Sequence, residues 1–304
     1  MTEDLVVGVD IGGTHLRVGA VDASFRLHNF EVHSSRAALL GDTPAEILIE
    51  RLTDYLRRHQ LTPAAVVAGF PSTVDLDRRV VVSTANIPGL HRIPFAEMLE
   101  DELGLPAFLE RDTNLLLTHD MRAAGISHLP VVAGCYPGTG FGSAFQIGGR
   151  LHRGKTGTAG ELGHIPVKDL ESVCGCGNRG CIETIASGKR LEHIATRHFG
   201  HTPLDDLFTK HGHERPLDDF LDSLSIPIAS VINILDPDAI VIGGGVVGMA
   251  GFPRDTLMAH VRRHSRKPEP EASLDVRFAQ PGQENGVIGA GIYGHLQLAP
   301  QESA

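Results

Sequence analysis

The sequence predicts an α/β protein made of two related halves, and three observations carry that expectation. Strand-like apolar runs alternate with segments of helical periodicity along the whole chain. A pattern of strand, glycine turn and strand opens the chain and returns near residue 131. At 304 residues the chain is long enough for two domains, each burying its own core. Two halves that each begin with a glycine-tipped hairpin are expected to face one another across a cleft.

The elements follow in order. Residues 5–10 and 15–21 read as strands joined by the turn at 11–14, and a third strand follows at about 26–32. A helix starts at 43–46, with Thr43 placed to cap, Pro44 at the first helical position and Glu46 reaching back. Leu48, Leu52 and Tyr55 share its apolar face, and it should end near His59. Residues 65–70 form a buried strand that runs into Pro71. A helix covers 95–103, and a short strand at 107–110 precedes Arg111 and Asp112. The second cycle has strands at 131–136 and 142–147 around a turn at 138–142. Helical material from about 217 to 235 is expected to break at Pro227, the strand 239–242 ends in glycines 243–245, and a last helix covers about 287–298. No linker rich in serine, glycine and proline separates the halves, so the hinge is expected within compact elements near 113–130 and 280–287.

Composition narrows the functional classes. A hydrophobic content of 41% without low-complexity tracts describes an ordinary globular chain, and its 35 glycines exceed the usual share of about 7%. The net charge of −10 argues against general binding to nucleic acid or anionic membranes. Residues 5–9 are too short for the core of a signal peptide, and no run reaches the ~18 apolar residues of a membrane span. The expected compartment is the cytoplasm, where cysteines stay reduced.

His164, Cys174, Cys176 and Cys181 fall within one short stretch and supply the soft and borderline ligands that zinc prefers. Three clustered cysteines cannot all pair among themselves, and a Cys-x-Cys bridge would be strained. Four protein ligands leave no position for a reacting water, so the metal is expected to be structural, pinning a loop that carries Glu161 and Glu183. Cys135, in an apolar run, reads as a reduced core residue.

The run DIGGT at 10–14 could be only a hairpin, since Gly-Gly makes a good turn. Asp10 at the strand's end, with the unscreened amides of Gly12 and Gly13 and the Thr14 hydroxyl, could instead hold a phosphate and its magnesium. Gly138, Thr139 and Gly140 offer the same chemistry from the other half, and Gly243 and Gly244 sit where a nucleotide's base or ribose could lie. Neither the P-loop nor the dinucleotide-binding glycine pattern is present. Asp112 has two readings. It can be a helix N-cap, or it can accept the proton of a substrate hydroxyl that attacks the terminal phosphorus of the nucleotide.

The segments DIGGT (10–14), ERDTN (110–114), GTGFG (138–142), GTAGELGH (157–164) and CGCGNRGCIE (174–183) together resemble the ROK sugar kinases and repressors. The resemblance spans nearly the whole chain. It implies two ribonuclease-H-like domains of the actin, Hsp70 and hexokinase type, flanking a cleft, with a structural zinc loop. The first would comprise residues 1–115, completed by the helix at about 287–304, and the second residues 116–286. It also implies ATP and Mg2+ as partners of a sugar, and a homodimer. By motif, Asp112 resembles the catalytic base, while Glu161, His164, Glu183 and Asn86 resemble residues that bind sugar hydroxyls. Zinc on one ring nitrogen of His164 would leave the other as a fixed donor toward the sugar.

Many ROK glucokinases carry asparagine before the catalytic aspartate, where this chain has Arg111. With the segments 69–75 and 83–89, that arginine makes the chain look closest to D-allose kinases, with D-allose 6-phosphate as product. Arg111 could read a hydroxyl of configuration opposite to glucose, or pair with a nearby acid. Glucose, N-acetylmannosamine and fructose stay open as substrates. Two readings of a different class are a silent sugar sensor and a sugar-responsive repressor. The repressor is disfavoured by the charge and by a first strand that starts at Leu5, leaving no room ahead of it for a DNA-binding domain.

Overall fold

The computed structural model describes residues 4–12, 15–34, 39, 43–84, 87, 89–200 and 202–299. They form two compact units, one of residues 1–123, 153–159 and 282–304, the other of residues 124–152 and 160–281.

In the first unit, β1 (Val6–Ile11), β2 (His15–Val21) and β3 (Leu27–Ser34) form an antiparallel meander. Helix α1 (Pro44–His59) then leads to β4 (Ala65–Phe70), which lies parallel to β1. A small hairpin of β5 (Ser72–Val74) and β6 (Val81–Thr84) follows, then α2 (Phe95–Leu103), β7 (Ala107–Arg111) parallel to β4, and α3 (Asp112–Ala123). The sheet order is β3-β2-β1-β4-β7.

The second unit repeats this plan. Strands β8 (Val131–Pro137), β9 (Phe141–Ile147) and β10 (Arg150–Leu151) form the meander. Helices α4 (Gly188–His198), α5 (Leu207–His211) and α6 (Arg215–Leu235) lead to β11 (Ala239–Ile242), parallel to β8. After α7 (Gly244–Val247) and α8 (Arg254–His264) comes β12 (Val276–Phe278), giving the order β10-β9-β8-β11-β12. The closing helix α9 (Asn285–Leu298) returns to the first unit and packs on β1 and α3.

Each sheet is covered by helices and has its own core. Val7, Val66, Phe70 and Leu109 anchor the first, with Leu48, Leu52 and Tyr55 of α1 buried against them as the periodicity predicts. Ala133, Ile240 and Ile242 anchor the second with Leu221, Leu224 and Ile228 of α6. A Cβ on Gly8 would stand 2.4 Å from the Val287 carbonyl oxygen, so glycine is what lets α9 seat on β1. Cys135 is fully buried, and burial pushes its thiol up to about 12.

The structure differs from the sequence expectations in places. Thr43 makes no side-chain capping bond at the start of α1. Helix α6 runs unbroken through Pro227, because the side chains on both sides of the proline, Leu224 and Ile228, are held in one core and burial there offsets the lost backbone bond. Gly244 to Val247 continue as one helical turn after the glycine at 243. The β5–β6 hairpin, β12 and the return of residues 153–159 to the first unit were not legible in the sequence. Among the described residues, no helix is long and apolar enough to cross a membrane.

Candidate active site

The carboxyl ends of β1, β4 and β7 lie side by side in the first sheet, with Asp10 in register with Gly69 and Gly69 in register with Glu110. Open α/β sheets present ligand sites at this edge. Asp10 is one residue from the end of β1, and its Oδ2 accepts a hydrogen bond from Arg17 Nη1 at 3.0 Å. Burial raises its pKa, with Arg17 pulling the other way. Gly12 follows in the turn, its amide bonded to the His15 carbonyl at 2.9 Å. Gly13, Thr14 and Asn86 lie outside the described residues.

Asp112 opens α3 directly after β7. Its Oδ1 accepts from the Thr113 amide at 2.7 Å, which keeps the carboxylate at the helix start where the backbone dipole favours negative charge. Gly69 makes room for this start, since a Cβ there would meet Leu115 Cδ1 at 2.7 Å. Arg111 is 7% exposed and its Nη1 donates to the Ala159 carbonyl oxygen.

Beneath Asp112 lies a buried network that the motif reading missed. Glu110 is fully buried, and its Oε2 accepts from Arg153 Nε at 2.9 Å. Its Oε1 accepts from Asn114 Nδ2 at 2.8 Å and from the Arg111 amide at 2.9 Å. Arg78 Nη1 stands 3.1 Å from the same oxygen, and burial lowers the pKa of that guanidinium. Arg153 also donates to the Tyr293 hydroxyl at 3.2 Å. A signal was present: an acid ending an otherwise apolar strand must be buried with a cation.

In the second unit the Gly138–Gly140 turn joins β8 to β9, with the Gly138 amide bonded to the Gly140 carbonyl at 3.0 Å. The Gly138 carbonyl accepts from the Gly188 amide at 2.7 Å, and the Thr139 carbonyl from the Lys189 amide at 3.4 Å, which fixes the turn on the start of α4. Gly243 and Gly244 lie beside it, and a Cβ on Gly244 would meet the Pro137 carbonyl oxygen at 2.7 Å. The three glycine sites of this half therefore converge.

The ligand atoms of His164, Cys174, Cys176 and Cys181 all lie within 4.8 Å of one another. Cys176 Sγ and Cys181 Sγ are 3.7 Å apart, close to the ~3.8 Å between two thiolates on a tetrahedral zinc with bonds of about 2.3 Å. Nδ1 of His164 faces Cys174 Sγ at 3.5 Å, while Nε2 faces Glu161 Oε2 at 3.4 Å. The donor set, its spacing and the turned imidazole all fit zinc. Glu183 bridges the cluster and the glycine turn, its Oε1 accepting from Cys174 Sγ at 2.9 Å and its Oε2 from the Phe141 amide at 3.3 Å.

The pattern of the ROK family matches residues 6–295. The chain belongs to the ROK family. A glucokinase of Halalkalibacterium halodurans is 28% identical over 96% of this chain and 95% of its own length. An N-acetyl-D-glucosamine kinase of Yersinia pseudotuberculosis is 28% identical over 93% of this chain and 96% of its own. Among solved structures, a ROK glucokinase from Streptomyces griseus in complex with glucose and AMPPNP superposes with a TM-score of 0.79 at 27% identity, covering 94% of this chain and 98% of that one. The chain is accordingly a sugar kinase of the two-domain α/β type, a phosphotransferase with an alcohol acceptor.

Proposed function

We propose that this ROK protein transfers the terminal phosphoryl group of ATP to a hexose hydroxyl, with Asp112 as general base. The observation that carries the reading is the Asp112 carboxylate, fixed by the Thr113 amide at the carboxyl edge of a sheet in which β1, two strands away, carries Asp10 one residue from its end. Both units are read as ribonuclease-H-like, since their meander and parallel strands follow one order.

In this mechanism Asp112 accepts the proton of the attacking hydroxyl. A carboxylate is a weak base, which suits a loose transition state where aligning the nucleophile matters more than early deprotonation. Asp10, with Gly12, Gly13 and Thr14, would hold Mg2+ and the phosphates; the metal would neutralise charge developing on them. The Gly138–Gly140 turn would offer backbone amides to the phosphates, and Gly243 and Gly244 would lie along the nucleoside. Glu161, His164, Glu183 and Asn86 would bind sugar hydroxyls. Zinc on Nδ1 of His164 would fix the tautomer, so that Nε2 carries the proton offered to the sugar.

The hexose is read as D-allose from the segments 69–75, 83–89 and 110–114. Arg111 supports this less directly than its sequence position suggests, because its guanidinium already holds the Ala159 carbonyl. Glucose and N-acetylglucosamine form the second reading, favoured by the substrates named in the matching kinases. A coupled Mg-ATP assay across allose, glucose, mannose, N-acetylmannosamine, N-acetylglucosamine and fructose decides between them. Highest kcat/KM on allose is the expected result; highest kcat/KM on glucose or N-acetylglucosamine replaces the allose reading and keeps the mechanism, and no turnover on any sugar removes it.

A further inference from the structure

Residues 153–159 are seven residues long, belong to the first unit, and are preceded and followed in sequence by residues of the second. Three separate contacts hold them. Arg153 meets the fully buried Glu110 through Nε at 2.9 Å and Nη2 at 2.8 Å. Arg111 donates to the carbonyl of Ala159 at the other end. Between them Gly157, at φ +80°, sits so close to β5 that a Cβ would be 2.2 Å from the Val74 carbonyl oxygen. The Ala159 amide bonds back to the Arg153 carbonyl at 3.1 Å and closes the stretch into a loop.

Both side chains that grip this loop come from residues 110 and 111, immediately before Asp112. Glu161 follows Ala159 by two residues, and His164 by five. We propose that Glu110 and Arg153 are positioning residues, a clasp on a buried carboxylate that fixes residues 153–159, which lead in sequence to Glu161 and His164, on the strand that runs into Asp112. Arg111 is the second arm of that clasp. The proposal rests on the sugar-kinase reading, in which the chain leaving this loop carries the sugar-binding Glu161 and His164. A buried carboxylate held by Arg153, Asn114 and the Arg111 amide, with Arg78 beside it, is costly to assemble and loses most when one partner is removed. The clasp therefore has one well-defined arrangement.

The test uses the full-length protein with Arg153→Met, which keeps the aliphatic stem and removes the donors, and with Arg153→Lys, which restores a charge. Hydrogen exchange of the amides of 153–159 is measured together with calorimetric affinities for the sugar identified by the assay and for Mg-ATP. Arg153→Met is expected to speed exchange of these amides at least about tenfold and to weaken sugar binding by about 10- to 100-fold, with ATP affinity within about twofold, since a small misplacement of a binding group has effects of that order. Arg153→Lys should fall between the two proteins. Glu110→Gln leaves the buried Arg78 and the half-buried Arg153 without their carboxylate, so a failure of that variant to fold does not bear on the result.

Unchanged exchange at 153–159 overturns the clasp. Faster exchange with sugar affinity intact overturns the positioning role, and so does an equal loss of sugar and ATP affinity, which a merely structural pair would produce. If the wild-type protein bound none of the sugars, the kinase reading would fall and the positioning role with it, while the exchange difference would still show whether the clasp exists.

Discussion

The two sheets share one strand order and place different chemistry at corresponding ends. In the first, β1 carries Asp10 near its end and β7 ends beside Asp112. In the second, β8 ends at Pro137 before Gly138, and β11 ends at Ile242 before Gly243. One half offers carboxylates, which accept protons and bind cations. The other offers the backbone of glycine turns and, in the cysteine and histidine set, a hydrogen-bond partner for Glu183. The repeated topology thus supplies only an edge with open strand ends, and the side chains placed there divide the work.

Damage to the carboxylate half should be the most severe. Asp112→Asn is expected to lower kcat by at least about 10²-fold, the usual loss for a missing acid or base, with KM for ATP and zinc content unchanged. Steady-state kinetics beside metal analysis checks this, and wild-type turnover would take Asp112 out of the chemistry. In the other half, Cys176→Ser is expected to lose the metal and to lower the stability of its unit by roughly 2 kcal/mol or more, because structural metal affinity is folding free energy. A thermal scan with elemental analysis reads both. Full activity in protein shown to be free of metal would sever the cysteine and histidine set from the sugar site.

Much of this division was legible in the sequence. The turns at Gly12 and Gly138, the strand before Asp112 and the set of His164 with three cysteines are local patterns, whose residues are brought together by short-range geometry. What escaped is long-range. Glu110 and Arg153 are 43 positions apart, and nothing local in either indicates that they meet. The parallel edge strand β12 is only three residues long, too short to show a period, and is held by its pairing with β11. Pro227 misled for the opposite reason: a strong local signal was outweighed by tertiary burial along α6. Arg111 was singled out as a candidate contact for the sugar, and its bond to the Ala159 carbonyl depends on a loop whose return to the first unit no motif announces.

A milder change separates nucleotide from sugar within the glycine half. Gly188 starts α4, and a Cβ there would stand 2.6 Å from the Gly138 carbonyl oxygen. That oxygen belongs to backbone and accepts the Gly188 amide, so neither side can yield without shifting the turn. Gly188→Ala should therefore cost about 1–3 kcal/mol of stability, the usual range for overpacking, and move the Gly138–Gly140 amides away from where a phosphate would rest. The kinetic signature expected is a several-fold higher KM for ATP with the KM for sugar unchanged, the reverse of the split expected from Arg153→Met. Measuring both constants for the two variants in one buffer assigns the Gly138–Gly140 turn to the nucleotide and the loop at 153–159 to the sugar if the splits are opposite. Equal shifts in the two variants would mean that the turn and the loop do not divide the work in this way.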